Sequence, residues 1–179
     1  MSKSLKNIIL TGFMATGKSS VGSMLAERLS LKYVDTDTII EDEAGLSISD
    51  IFKRHGEGRF RDMEKDVIRR LSSEEGLVIS VGGGAVVDPE NISLLREKGI
   101  IISLTASPEE IVARTGGDET RPLLSGNDRL ERIKELLKER EVYYSRANLM
   151  IDTSCKEIKE VVEEIIGWIK ERKYKGYND

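Results

Sequence analysis

The chain has 179 residues, a formal charge of −4, 39% hydrophobic and 34% charged residues, which suffices for one domain with a real core and no help from metals or disulfides. Its single cysteine, Cys155, excludes an internal disulfide and fits a reducing compartment. A mildly acidic surface without a clustered basic patch argues against a nucleic-acid binder; with no signal peptide or transmembrane run in view, a cytoplasmic protein without a membrane partner is expected.

Lys6 to Leu10 reads as a buried first strand. It runs into Gly12-Phe13-Met14-Ala15-Thr16-Gly17-Lys18-Ser19, which matches G-x-x-x-x-G-K-[ST]. In such a loop glycines let bare backbone N–H groups approach an anion, the lysine lies along the outer phosphates of a nucleotide, and the hydroxyl is a ligand of Mg²⁺. A helical pattern from Ser19 to Leu29, with Val21, Met24, Leu25 and Leu29 on one face, completes the strand–loop–helix setting. Lys32 to Val34 is a short second strand, followed by Asp35-Thr36-Asp37. Read as extended, this segment points two carboxylates the same way, roughly 7 Å apart, one for the water shell of Mg²⁺ and one for an acceptor hydroxyl. The competing reading is a cap for the helical turn that follows, Ile39 to Glu43, which stops at Gly45.

Ser47 opens a helix through Ile51 and Phe52 to about Arg54, stopped at Gly56, and a second helix from near Gly58 carries Phe60, Met63, Val67, Ile68 and Leu71. Leu77 to Val81 is another buried strand and enters Gly82-Gly83-Gly84, whose bare backbone invites a ligand oxygen; a plain turn is the alternative. Asp88-Pro89 and Ser107-Pro108 are cap-plus-proline helix starts on either side of a fourth strand, Ile100 to Leu104. Gly116 to Gly126, rich in turn formers around Arg121-Pro122, reads as a surface loop able to close over a nucleotide and bring Arg121 to the transferred charge. A long helix with Leu130, Ile133, Leu136 and Leu137 inward ends near Arg146. A short strand, Leu149 to Ile151, then precedes a last helix striped by Ile158, Val161, Val162, Ile165, Ile166 and Ile169, and a frayed tail from Tyr174.

Continuously apolar strands alternating with helices mean an α/β fold with a parallel sheet covered on both faces. One domain is expected over 1–179, with a helical substrate-binding insertion at about 38–73 and a lid at about 115–127. Neither the third nor the fourth strand ends in a carboxylate, so the acid is sought in Asp35-Thr36-Asp37. Arg61 and Arg140 are possible anion clamps, while His55, the only histidine, is assigned no role.

Taken in series, these residues resemble shikimate kinase. The phosphate loop, Asp-Thr-Asp, Gly-Glu-Gly-Arg-Phe-Arg-Asp-Met-Glu at 56 to 64, Val-Gly-Gly-Gly at 81 to 84, Arg-Thr-Gly-Gly at 114 to 117, Arg-Pro-Leu-Leu at 121 to 124 and Arg140 ahead of Tyr143 and Tyr144 follow that family's order and spacing. The resemblance spans about residues 6 to 170. It implies a three-layer α/β/α P-loop kinase fold of the nucleoside-monophosphate-kinase type, with a five-stranded parallel sheet in the order 2-3-1-4-5. It also implies Mg²⁺-dependent transfer of the γ-phosphate of ATP to the 3-hydroxyl of shikimate, on the route to chorismate and the aromatic amino acids.

By the same resemblance Gly12, Ala15, Thr16, Gly17, Lys18, Ser19, Ser20, Arg114 and Arg121 bind nucleotide, with Arg114 stacked on adenine. Asp37, Phe52, Phe60, Arg61, Glu64, Gly82, Gly83, Gly84 and Arg140 bind the acceptor, Arg61 and Arg140 taking its carboxylate. Asp37, as base, Lys18 and Arg121 are the implied catalytic residues, and Ser19 with Asp35, through water, the metal residues. One departure is Ala15-Thr16, where the family commonly has Gly-Ala or Gly-Ser; Thr16 would put a β-branched side chain near the phosphates. The rival readings are a related kinase of gluconate or of a nucleoside monophosphate, and a non-catalytic regulator that binds ATP or shikimate. A monomer with small-molecule partners only is expected.

Overall fold

The computed structural model describes residues 6–116 and 128–174. Five strands, β1 (Asn7–Thr11), β2 (Lys32–Asp35), β3 (Leu77–Ser80), β4 (Gly99–Thr105) and β5 (Leu149–Asp152), pair in parallel in the order β2-β3-β1-β4-β5. That is the order the resemblance implies. Side chains alternate between the faces of a strand, and here both faces are covered. Ile8, Leu10, Val78, Ile102 and Leu104 pack under α1 (Lys18–Leu29) and α7 (Ile158–Tyr174), while Ile9, Ile79 and Ile101 pack under α3 (Ile48–Ser72), α4 (Pro89–Lys98), α5 (Pro108–Thr115) and α6 (Arg129–Tyr144). Two buried faces are why these strands read as unbroken apolar runs rather than as alternating ones.

Between β2 and β3 the chain makes only helix, α2 (Thr36–Ala44) and α3, and these two pack on each other. Sequence suggests two helices meeting at Gly56; the structure has one span, Ile48–Ser72, broken at that residue, where φ is 80° and ψ 168°. A left-handed φ of this kind suits glycine, so the helix leaves its path for one residue and resumes it. The expected caps form: Asp88 accepts from the N–H groups of Glu90 and Asn91, and Ser47 and Ser107 accept from Asp50 and Glu110. The triple glycine does not end in a plain turn. It leads into a short 3₁₀ helix, Ala85–Val87.

β1 is pinned at its start by Asn7, which is 1% exposed. Its side-chain amide donates to the Glu74 carbonyl at 2.8 Å and accepts from the Leu77 N–H at 3.0 Å, tying the central strand to the entry of its neighbour. Asn7→Ala removes both bonds and leaves the buried Leu77 N–H unpaired, so a loss of about 1–3 kcal/mol in unfolding free energy is expected. Urea denaturation of the two proteins measures it; a loss below about 0.5 kcal/mol would mean that water replaces the amide at no cost.

Candidate active site

Parallel strands deliver their carboxyl ends to one edge of the sheet, and the loops after β1, β2 and β3 meet there. They line a cleft of about 860 Å³. Its two halves are built from different materials: backbone on one side, charged side chains on the other.

The backbone half is the loop from Gly12 to Ser19. Gly12 has φ 136°, and a Cβ there would lie 2.1 Å from the Leu104 carbonyl oxygen, so only glycine lets the loop leave β1 against β4. α1 then starts after Gly17 with no side-chain cap, which leaves its first N–H groups for a ligand. The Lys18 ammonium donates to the carbonyls of Gly12 and Phe13, both at 2.9 Å, and closes the loop into a ring. The Thr16 side chain, unlike its backbone, does not face the cradle. It is fully buried and its hydroxyl donates to the Phe13 carbonyl at 2.8 Å, so the extra methyl packs inward. Ala15, Gly17, Lys18, Ser19 and Ser20 all line the cleft.

The extended reading of Asp35-Thr36-Asp37 is overturned. Asp35 is the N-cap of α2, its Oδ1 accepting from the Asp37 N–H at 3.0 Å, and Thr36 and Asp37 are already helical. A cap bond two residues away costs little chain entropy and outcompetes the extended alternative. Capping uses only Oδ1. Oδ2 takes hydrogen bonds from the Tyr33 hydroxyl at 3.0 Å and, more loosely, from the Ser19 hydroxyl at 3.4 Å, so it faces the phosphate loop. The buried Thr36 hydroxyl accepts from the Gly82 N–H at 3.3 Å and locks this helix start to the end of β3.

The opposite wall comes from α3 and α6. Arg61 makes ion pairs with Glu57 at 3.0 Å and with the buried Glu64 at 2.8 Å, and its guanidinium lies over the Phe60 ring. Phe52 and Phe60 touch, with ring centroids 5.0 Å apart. Arg140 sits over the Phe13 ring and bonds the Tyr144 hydroxyl, which itself donates to the Gly83 carbonyl at 2.7 Å. The three glycines form the floor beneath these groups. A Cβ on Gly82 would stand 2.9 Å from Glu64 Oε1 and 3.0 Å from Asp37 Oδ1, and one on Gly84 would stand 2.7 Å from an Arg61 nitrogen.

Those two carboxylate oxygens are buried and have no hydrogen-bond partner among the described residues. The Asp37 carboxyl is pushed up to about 6, first by burial and then by the charge of Asp35, with Lys18 opposing. Glu64 is also raised to about 6: burial outweighs the pull of its ion pair with Arg61, and Asp37 adds to the rise. The cleft therefore holds a proton acceptor poised near neutral pH, two guanidinium groups and an anion-binding loop.

Arg114 lies at the end of α5 with its guanidinium engaged by Glu110, the Ala15 carbonyl and Thr153. Arg121 and the rest of 117–127 fall outside the described residues, as does the tail 175–179. Cys155 and His55 are both exposed. Sequence reasoning gave no role to Tyr33, Thr36, Tyr144 or Thr153; Tyr33 bonds Asp35 within its own strand, while the partners of the other three lie on other elements and leave no local pattern. Among the described residues no group of three or more His, Cys, Asp or Glu is placed to hold a metal ion by itself, and no helix is long and apolar enough to cross a membrane.

The family model for shikimate kinase matches residues 14–170. Shikimate kinase of Geobacter metallireducens is 48% identical over 169 residues, 94% of each chain, and that of Pelotomaculum thermopropionicum is 48% identical over 95% of this chain and 99% of its own. Among solved structures, shikimate kinase from Acinetobacter baumannii in complex with shikimate superposes with a TM-score of 0.91 at 35% identity, over 94% of this chain and 95% of that one. Shikimate kinase from Aquifex aeolicus gives 0.81 at 36% identity, over 92% and 96%.

The raised carboxyls have a consequence for stability. An unfolded aspartate titrates near 3.9, well below the folded value, so the Asp37 charge destabilises the fold at neutral pH, and this cost shrinks as pH falls below about 6 and is gone only below about 3.9. Asp37→Asn removes the charge. Its melting temperature should exceed that of the native chain at pH 8, with the gap shrinking by about half at pH 5 and closing only below about pH 4; a gap that stays constant with pH would rule out an electrostatic origin.

Proposed function

The chain belongs to the shikimate kinase family and is an ATP-dependent kinase of shikimate, and we propose that the reaction runs in the cleft between the phosphate loop and the glycine floor. The observation that carries this reading is the facing of a phosphate cradle by a poised carboxylate and two arginines within one cavity. The γ-phosphate of ATP would lie at the mouth of the loop, against the first N–H groups of α1 and Lys18. The acceptor's carboxylate would sit between Arg61 and Arg140, its ring against Phe52 and Phe60, and its 3-hydroxyl against Asp37.

The transfer is a displacement at phosphorus. The hydroxyl oxygen forms a bond to the γ-phosphorus, the bond to the β,γ-bridging oxygen breaks with its electron pair leaving on ADP, and the hydroxyl proton passes to Asp37. Burial serves this step, because a carboxylate short of solvent accepts a proton more readily than an exposed one. Glu64 would hold Arg61 in place for the carboxylate, and Tyr144 would do so for Arg140 while fixing the Gly83 carbonyl. Hard oxygen groups suit Mg²⁺, and Ser19 with Asp35, the latter through water, would hold it. When bound, that ion supplies charge neutralisation on the phosphates. Arg121 would approach the transferred group from the lid, and Arg114 would stack on adenine.

Gluconate also offers a carboxylate and hydroxyls, so the acceptor is tested by competition. In a coupled ADP-release assay offering shikimate, gluconate and nucleoside monophosphates side by side, turnover should be confined to shikimate; comparable turnover with another acceptor overturns the assignment. Asp37→Asn should lower kcat by about 10²-fold or more, the scale of general acid–base roles, while ATP binding is kept. Near-normal turnover would remove Asp37 as the base. Arg140→Ala should raise KM for shikimate by about 10- to 100-fold, the scale of a lost charge-assisted bond, and an unchanged KM would take Arg140 out of the acceptor pocket.

A further inference from the structure

Thr153 follows β5, is 3% exposed, and bonds groups far away in the chain. Its N–H donates to the Thr105 carbonyl at 2.8 Å. Its hydroxyl lies 3.1 Å from the Thr16 carbonyl and 3.0 Å from the Thr105 carbonyl, and accepts from Arg114 Nη1 at 3.1 Å. Arg114 in turn donates from Nη2 to the Thr153 carbonyl at 2.9 Å and from Nη1 to the Ala15 carbonyl at 3.2 Å. Two consecutive carbonyls of the phosphate loop, those of Ala15 and Thr16, are thus held by one clasp.

In a planar trans peptide the C=O and the N–H of the same unit point in opposite directions. The Ala15 carbonyl shares its unit with the Thr16 N–H, and the Thr16 carbonyl with the Gly17 N–H. Ala15 and Gly17 line the cleft, whereas Arg114 and Thr153 do not. Drawing both carbonyls toward the clasp therefore turns both N–H groups the other way. The loop also needs holding at this point: Ala15 has φ 59°, a left-handed conformation that is strained for a residue with a Cβ and persists where its surroundings over-determine it.

We propose that Thr153 is a positioning residue for nucleotide phosphates: together with Arg114 it fixes the Ala15 and Thr16 carbonyls so that the Thr16 and Gly17 N–H groups are presented to the phosphate oxygens. The inference rests on reading the loop as the nucleotide site. It gives Arg114 work on the phosphate side in addition to any contact with adenine.

The test is binding of ADP and of inorganic tripolyphosphate to the full chain, measured by calorimetry for the native protein, Thr153→Val and Thr153→Ser. Valine keeps the buried volume and removes the hydroxyl. ADP should bind about tenfold more weakly to Thr153→Val, the scale of a buried bond left unmet, tripolyphosphate should weaken by the same factor, and serine should restore both. Should the valine variant fail to fold, Thr153→Ala is read in the same way. Unchanged binding, a loss seen with ADP but not with tripolyphosphate, or a serine variant no better than valine each overturns the proposal. Neither probe needs an acceptor, so failure of shikimate turnover would leave this test standing.

Discussion

Charged groups can be crowded into a narrow cleft only where something without side chains forms its floor, and the stretch Gly82-Gly83-Gly84 meets that requirement. Asp37, Glu64 and Arg61 crowd in at distances where a Cβ on Gly82 or Gly84 would collide or press hard, and Arg140 stands in van der Waals range of one on Gly83. The same stretch is where three elements are tied together, Gly82 through Thr36 to α2 and Gly83 through Tyr144 to α6. The floor is therefore both the space that admits the charges and the frame that registers them. A side chain at Gly82 or Gly84 would displace Asp37, Glu64 or Arg61 before it reached into the cleft.

The charge arrangement is also asymmetric in a useful way. Glu64 and Asp37 are both buried, and both are raised to about 6. Glu64 is committed, with one oxygen bonded to Arg61 at 2.8 Å, whereas Asp37 has its backbone N–H tied to Asp35 and its carboxylate left open to the cleft. Similar environments thus give one carboxylate that anchors and one that is free to exchange a proton. Asp35 is committed in a third way, its Oδ1 capping a helix while Oδ2 looks toward Ser19. Three acids within a short reach are kept distinct by what each is already bonded to.

Much of the fold was legible because its signals are local. Strands buried on both faces read as apolar runs, proline and cap residues announced the helix starts, and the phosphate loop carries its own pattern. The site was legible where spacing carries chemistry, as in the two arginines, the triple glycine and the acid pair. Reading Asp35-Thr36-Asp37 as extended failed because a two-residue cap bond wins locally, and a strand pattern of three residues is too short to show it. Thr16 was misjudged because its side-chain direction is fixed by the Phe13 carbonyl, not by its place in the motif. Thr153 was invisible for a deeper reason: its hydroxyl answers to Thr16, 137 positions earlier in the chain, and nothing near it in sequence hints at that partner.

Gly56 shows how little material a pocket dimension can depend on. The half of α3 before it carries Phe52, and the half after it carries Phe60 and Arg61. The two phenyl rings touch across the interruption. A Cβ on Gly56 would meet nothing within 4 Å, so crowding does not constrain this residue; its torsion angle does. One rotatable bond, in open solvent and remote from the transferred phosphate, thus acts as the set screw for the gap between an aromatic wall and a guanidinium. The spacing of the cleft wall is gauged by backbone geometry, and a change of torsion at that single position would shift Phe52 against Phe60 while every lining residue kept its identity.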